Sequence, residues 1–269
     1  NIFGAALSIY LPFLLLMALD KLPSKLARAW FAACVAACLF ALFLTLSRGS
    51  WLGAVAGLVV LAAIKDRRLL IVMVLLAATH QFWVPQQALD RIEMTGDEDA
   101  NREIGGDQIA DDSTQVRIEQ YRSLPAMMQP RPIIGWGYQS YPRVFERYGT
   151  LGRKKGAHTT YALIGTEEGL VGLGVLFFVL ASMFLIGTQA YKNVDNPMTR
   201  LLGLAVAIGA VAAAVCMLSG SRFEAQKIYA HFWILFGIAE RSLALVRLRQ
   251  AGGDKMKVGS QAREDKPGR

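Results

Sequence analysis

The sequence predicts an all-α protein, a polytopic bundle of about seven transmembrane helices with one long loop outside the membrane. Of its 269 residues 54% are hydrophobic and 19% are charged, whereas soluble domains average about 45–50% and about 25%. The apolar residues are concentrated in runs that approach the roughly 20 residues needed to cross a bilayer. The only long polar interval, residues 85–157, lies between two blocks of such runs.

Short polar or charged turns separate the predicted spans, which are residues 1–19, 29–46, 51–64, 69–84, 169–191, 201–221 and 229–239. This predicts helices 1–4 in residues 1–84, a catalytic loop in 85–157 and helices 5–7 in 158–246. Glu240 and Arg241 cut the seventh span short. Residues 247–269 are rich in Lys, Arg and Gly and poor in apolar side chains, so we expect a disordered basic tail.

The basic residues of the short loops predict the orientation. The loops at 20–28, 65–68 and 192–200 carry eight Lys and Arg, and the loops around Arg48 and Arg222 carry three. Because the more basic side faces the cytoplasm, we expect the long loop, Arg48 and Arg222 on the opposite, extracytoplasmic face. Topology also accounts for much of the net charge of +8, so membrane lipid is an expected partner and nucleic acid is not.

The long loop divides into an acidic half and a basic half. Residues 85–112 contain nine acidic and two basic side chains, whereas residues 113–157 contain eight basic and two acidic ones. Within the basic half, the spacing of Val116, Gln120 and Leu124 predicts a helix. The segment PRPIIGWGY at 130–138 then predicts a packed turn at the membrane surface.

Small residues inside the spans predict helix packing rather than chemistry. They are Cys34, Cys38, Cys216 and the pairs Gly53/Gly57 and Gly165/Gly169. Thiols and glycines within apolar helices mostly serve close packing. His80 and His231 show no metal-ligand spacing, so we predict neither a metal nor another cofactor.

Three motifs occur before, within and just after the long loop. They are LSRGSWLG at 46–53, Arg117 followed by PIIGWG at 132–137, and His158 followed by EGLVG at 168–172. Together they resemble the O-antigen ligase/polymerase family, whose members are multi-pass enzymes of the bacterial inner membrane. Those enzymes take a glycan from a polyprenyl pyrophosphate carrier on the periplasmic face. Thr159 stands where the family often has asparagine.

The resemblance covers about residues 1–190, which correspond to the C-terminal half of such proteins. The first residue already lies in an apolar run, so we expect a longer parent chain. The implied partners are a polyprenyl-pyrophosphate-linked glycan as donor and an acceptor that is lipid A core, a growing glycan or a protein hydroxyl. The corresponding activities are ligase, polymerase and protein O-oligosaccharyltransferase. A transporter or flippase, which favours charged or broken helices at mid-membrane, and a non-catalytic assembly subunit remain alternatives.

The resemblance and the residue types together assign candidate roles. Histidine transfers protons near neutral pH, so His158 is the candidate general base, with an interfacial capping histidine as the alternative. Arginine binds phosphate bidentately, so Arg48 and Arg117 are candidate pyrophosphate ligands. Snorkelling competes with this role for Arg48, and a salt bridge in the loop competes with it for Arg117.

Two further candidates have weaker support from the sequence. Arg222 lies on the predicted extracytoplasmic side and is a third possible substrate ligand. Glu168 is a candidate catalytic residue, for which orienting the loop or capping a helix is favoured over direct acid/base work.

Overall fold

The computed structural model describes residues 2–19, 24–82, 84, 112–149, 156–220 and 226–264. In these ranges all regular structure is helical and no strand occurs, which confirms the all-α prediction. The α-helices are α1 Ile2–Leu19, α2 Lys25–Leu44, α3 Arg48–Ile64, α4 Arg68–Ala78, α5 Asp112–Met128, α6 Tyr141–Tyr148, α7 Thr160–Glu167, α8 Gly169–Asn193, α9 Pro197–Met217 and α10 Gln226–Glu264, and a short 3₁₀ helix, His80–Phe82, follows α4. The acidic half of the loop, apart from Asp112, lies outside the described residues.

Among the described helices, four are long and apolar enough to cross a membrane, namely α1, α2, α8 and α9. The predicted third and fourth spans form the shorter apolar helices α3 and α4. The predicted seventh segment is the first part of α10. The helix predicted from the spacing of Val116, Gln120 and Leu124 is present as α5.

Helix α10 extends to Glu264, past residue 247, where the sequence predicted the start of a disordered tail. Residues 240–250, ERSLALVRLRQ, consist almost entirely of residues with high helix propensity. Ala239 and Leu243 are buried one turn apart on one face of α10. This packing holds the helix beyond Glu240 and Arg241, at which the predicted span ended.

Helix α9 is the centre of the bundle. Every residue from 201 to 210 is buried, and α1, α3, α8 and α10 all pack against this helix. Helix α4 has no buried residue, and Cys38 and Leu42 are the only buried residues of α2. Apolar helices with so little burial inside a protein expose side chains suited to a lipid environment.

Glycines bring α3 into close contact with α9. A Cβ atom on Gly53 would lie 2.3 Å from the Cys216 sulfur and 2.9 Å from the Ala212 carbonyl oxygen. Gly57 faces Ile208 and Ala212 at 3.3 and 3.4 Å. This confirms the packing role predicted for the Gly53/Gly57 pair.

A second, smaller apolar core joins the helices outside the bundle. Met127 of α5, three residues of α6 and Ala162 of α7 form one buried cluster. Tyr141 and Phe145 are its largest members, with stacked rings whose centroids lie 5.8 Å apart. The segments 112–149 and 156–167 therefore have a core of their own.

Gly53→Ala is expected to destabilise the protein because the new methyl group cannot fit between α3 and α9. Overpacking of this kind costs about 1–3 kcal/mol, so thermal unfolding in detergent should occur at a lower temperature. Gly174→Ala is the matched control, since a Cβ atom at that position in α8 meets nothing within 4 Å. An unchanged melting temperature for Gly53→Ala would show that α3 and α9 are not in close contact.

Candidate active site

The turn that carries Arg48 is held by serine hydroxyl groups. Ser47 Oγ and Ser50 Oγ are 2.9 Å apart, and Ser8 Oγ of α1 donates to the Ser50 carbonyl oxygen at 2.6 Å. These buried contacts fix the first turn of α3 against α1. Arg48 is the first residue of α3 and is half-buried.

The start of α3 lies beside the end of α9. The Cys216 thiol donates to the Gly49 carbonyl oxygen at 3.6 Å, and Cys216 directly precedes Met217, the last residue of α9. Arg48 is therefore at the same end of the bundle as residues 218–220, the connection that leaves α9.

Three side chains from the loop region donate hydrogen bonds to that connection. Tyr121 Oη, Arg117 Nε and Thr160 Oγ1 donate to the carbonyl oxygens of residues 218, 219 and 220, at 2.8, 3.1 and 2.8 Å respectively. These carbonyl groups follow the last residue of α9, so they lie outside its helical hydrogen-bond ladder and the three side chains supply their donors. The bonds attach α5 and the start of α7 to the end of the bundle that carries Arg48.

The backbone at His158 is fixed by a buried amide. Gln120, which has no exposed surface, donates from Nε2 to the Gly156 carbonyl oxygen and accepts at Oε1 from the His158 N–H, both at 2.9 Å. The Thr159 hydroxyl accepts from Ala162 N at 3.2 Å and so caps α7. The backbone on both sides of His158 is thus held, while its side chain is exposed.

The second and third sequence motifs are docked on each other. Backbone N–H groups of residues 136 and 137 donate to the carbonyl oxygens of residues 166 and 167 at 2.9 and 2.8 Å. Those of residues 170 and 171 donate to residues 132 and 133 at 2.8 and 3.1 Å. The packed turn predicted at 130–138 therefore lies against the junction of α7 and α8.

This docking depends on two glycines with positive φ. Gly135 has φ 68° and Gly169 has φ 67°, a region where other residues are strained. A Cβ atom on either glycine would lie 2.5 Å from backbone atoms of the other motif. Gly165 packs against the side chains of Leu124 and Met128. The predicted Gly165/Gly169 helix-packing pair was therefore wrong for Gly169, which allows backbone contact with a turn.

The two adjacent glutamates have different surroundings. Glu168 is exposed at the junction of α7 and α8, and its side chain lies over Gly172. Glu167 is only 7% exposed, and its Oε1 accepts from Tyr141 N at 3.0 Å. The sequence prediction selected Glu168, whereas the buried carboxylate is that of Glu167.

A cleft of about 500 Å³ lies beside the segment that leads to His158. Its lining comes from Tyr138, Gln139 and the start of α6, from Gly156 and Ala157, and from Leu163 and Glu167 of α7. The cleft thus combines aromatic rings, an amide and one carboxylate.

Two tyrosines near these segments have a raised pKa. Burial raises the pKa of Tyr121, although the hydrogen bond with Thr159 and the charge of Arg117 act in the opposite direction. Burial also raises the pKa of Tyr141, and the proximity of Tyr121 adds to this effect. Both phenols are therefore neutral hydrogen-bonding groups near pH 7.

The structure brings Arg48, Arg117 and the His158 segment to one end of the bundle through the contacts above. Arg222 lies outside the described residues, so its role remains a prediction. Among the described residues, no group of three or more His, Cys, Asp and Glu side chains is placed to hold a metal ion.

Sequence reasoning missed the roles of Gln120 and Glu167. A signal for Gln120 was present, because it shares a helix face with the apolar Val116 and Leu124, and an amide on such a face must find buried partners. No comparable signal distinguishes Glu167 from Glu168, since the difference depends on the position of Tyr141.

The sequence pattern of the family described as O-Antigen ligase matches residues 32–177. This match covers more than half of the chain and contains all three motifs. The chain belongs to the O-antigen ligase family. A comparison with curated proteins gives no match. Family membership together with the apolar helices makes the chain a multi-pass membrane protein of a glycan-transferring class, with a lipid-linked glycan and a glycan acceptor as its general partners.

Gln120→Ala is expected to lower both stability and activity, because it leaves the Gly156 carbonyl group and the His158 N–H without their partner. A buried unsatisfied group costs about 1–3 kcal/mol, which thermal unfolding of the purified protein would detect. Gln129→Ala, at an exposed position just after α5, is the control. Equal melting temperatures for the two variants would contradict the role assigned to Gln120.

Proposed function

We propose that this chain transfers a glycan from a polyprenyl pyrophosphate carrier to an acceptor hydroxyl group, with lipid A core as the acceptor. The observation that carries the proposal is the assembly of Arg48, Arg117 and the His158 segment at one end of the bundle, in a member of the O-antigen ligase family. Pyrophosphate is a good leaving group, so the reaction requires neither a nucleotide nor a metal ion.

His158 is proposed as the general base. It takes the proton from the acceptor hydroxyl group while that oxygen attacks the anomeric carbon of the donor. The bond between this carbon and the pyrophosphate oxygen breaks in the same step, so the anomeric configuration inverts. The exposed side chain on a fixed backbone supports this role, because a base must be held within hydrogen-bond reach of its proton. Glu168, exposed in the same region, is proposed to orient the site.

The pyrophosphate is proposed to bind Arg48 and Arg117, with Arg222 as a further ligand. The position of Arg48 supports this proposal, since it is the first residue of a 17-residue helix. The helix dipole favours an anion at this end of α3, so the helix N-terminus and the Arg48 charge would act together on a bound pyrophosphate. Arg117 donates from Nε to the Ser219 carbonyl oxygen, so its guanidinium group lies at the same end of the bundle as Arg48.

The active end is proposed to face the periplasm from the inner membrane. The charge distribution of the short loops supports this orientation. A cysteine introduced at Thr150 should react with a membrane-impermeant maleimide in intact spheroplasts, and reaction only after lysis would reverse the topology.

Arg48→Ala is expected to weaken binding of a polyprenyl pyrophosphate analogue by about 10-fold or more, as loss of a hydrogen bond to a charged group does. Arg48→Lys should restore binding only in part, because an ammonium group lacks the bidentate fork. The control is Arg67→Ala, an exposed arginine near the opposite end of α3. Equal affinity of Arg48→Ala and the control would make Arg48 a snorkelling residue.

His158→Ala and His158→Gln are expected to lower the rate of glycan transfer about 10²–10⁴-fold while the donor analogue still binds. An imidazole accepts a proton only when neutral, so wild-type transfer should rise with pH through about 5–8 and then level off. His80→Ala, at an exposed histidine that belongs to none of the three motifs, is the control. Near wild-type turnover in either His158 variant would exclude histidine as the base.

A further inference from the structure

We propose that the cleft between α6, α7 and the segment before His158 binds a sugar unit of the acceptor, with Glu167 and Tyr141 as its polar ligands. The inference rests on the proposed transfer reaction and assigns a place to the second substrate. Neither Glu167 nor Tyr141 is among the site residues predicted from the sequence.

One residue of the cleft lining has a buried polar group without a partner. Tyr141 is 1% exposed, and its hydroxyl group has no hydrogen-bond partner among the described residues. An unsatisfied buried hydroxyl group costs about 1–3 kcal/mol. Because Tyr141 also lines the cleft, a hydroxyl-bearing ligand in the cleft would supply the missing bond.

The carboxylate of Glu167 is held in position before any ligand arrives. Its Oε1 accepts from Tyr141 N at 3.0 Å, which ties the end of α7 to the start of α6. A carboxylate offers about four acceptor positions on two oxygens, so one backbone donor does not exhaust it. Sugar hydroxyl groups are donors of the kind such a group binds.

The rim of the cleft has an aromatic surface. Tyr138 lines the cleft and is 83% exposed. Next to it, Gln139 has the unusual φ of 58°, a strained conformation of the kind found at ligand sites. A pyranose ring has an apolar face of C–H groups and a rim of hydroxyl groups. A flat aromatic ring beside fixed polar groups matches that pattern.

Charge separates this cleft from the proposed pyrophosphate site. Glu167 is the only charged residue in the described lining, and a carboxylate repels phosphate. Arg117 lies instead near the connection after α9. Since the lining includes Gly156 and Ala157, which directly precede His158, a sugar in the cleft would lie on the acceptor side of the base.

Two conservative variants test the site. Tyr141→Phe removes only the unpartnered hydroxyl group, and Glu167→Gln keeps an oxygen to accept from Tyr141 N while removing the charge. Tyr148→Phe is the matched control, since Tyr148 belongs to the same helix and packs against Trp136 outside the cleft lining. Tyr141→Phe should unfold at the wild-type temperature or above, so a loss of binding cannot be attributed to misfolding.

Binding is measured by calorimetric titration of the full chain in detergent with two probes, deacylated core oligosaccharide and free O-antigen repeat oligosaccharide. We expect wild type to bind at least one probe, and both variants to bind it about 3- to 10-fold more weakly. The control should bind like wild type. Binding of neither probe by wild type, or unchanged affinity in both variants, would overturn the proposal.

A kinetic measurement distinguishes binding of the acceptor sugar in the cleft from binding of the donor sugar. It also makes failure of the sugar site distinguishable from failure of the proposed transfer reaction. With lipid A core that carries no O-antigen as the acceptor, Tyr141→Phe and Glu167→Gln should raise the KM for the acceptor and leave the KM for the donor unchanged. A rise in the donor KM instead would place the donor sugar in the cleft and overturn the acceptor assignment. If wild type binds a probe but transfers nothing, the proposed function fails while the sugar site is judged by the titration alone.

Discussion

The hydrogen bonds that attach α5 and α7 to residues 218–220, after α9, are the constraint on which the active end depends. Residues 218–220 leave α9 with carbonyl groups that need donors, and here Tyr121, Arg117 and Thr160 provide them. Once α5 is fixed in this way, its inward-facing Gln120 reaches the backbone on both sides of Ala157. The backbone position of His158 therefore depends on the hydrogen bonds that attach α5 to the connection after α9.

The contact between the turn at residues 130–138 and the junction of α7 and α8 also holds the active end in place. Gly135 and Gly169 allow backbone segments to approach so closely that a methyl group on either would collide. Their contact fixes the break between α7 and α8, and this break lets α7 lie outside the long apolar helix. The two motifs lie on either side of His158 in the sequence and form one structural unit in the fold.

Much of the fold could be predicted from the sequence, because apolar runs and helical spacing report local structure directly. The spans that became α1, α2, α8 and α9 and the helix at α5 are of this kind. The partners of Gln120, and the choice between Glu167 and Glu168, could not be predicted. They depend on backbone groups 26–38 residues away, and a backbone carbonyl or N–H carries no sequence signature. The continuation of α10 past residue 247 was missed because the Lys, Arg and Gly content of that segment indicated disorder.

The structural role of Arg117 and its proposed catalytic role are compatible. A guanidinium group has five N–H donors in a rigid planar fork, and the bond from Nε to Ser219 uses one of them. That bond fixes the plane of the fork, so less side-chain entropy remains to be lost when a phosphate binds. A lysine at this position would lack this division of tasks, because its ammonium group is a point donor on a flexible chain. The contact that anchors the loop to α9 would therefore also preorganise a ligand for the leaving group.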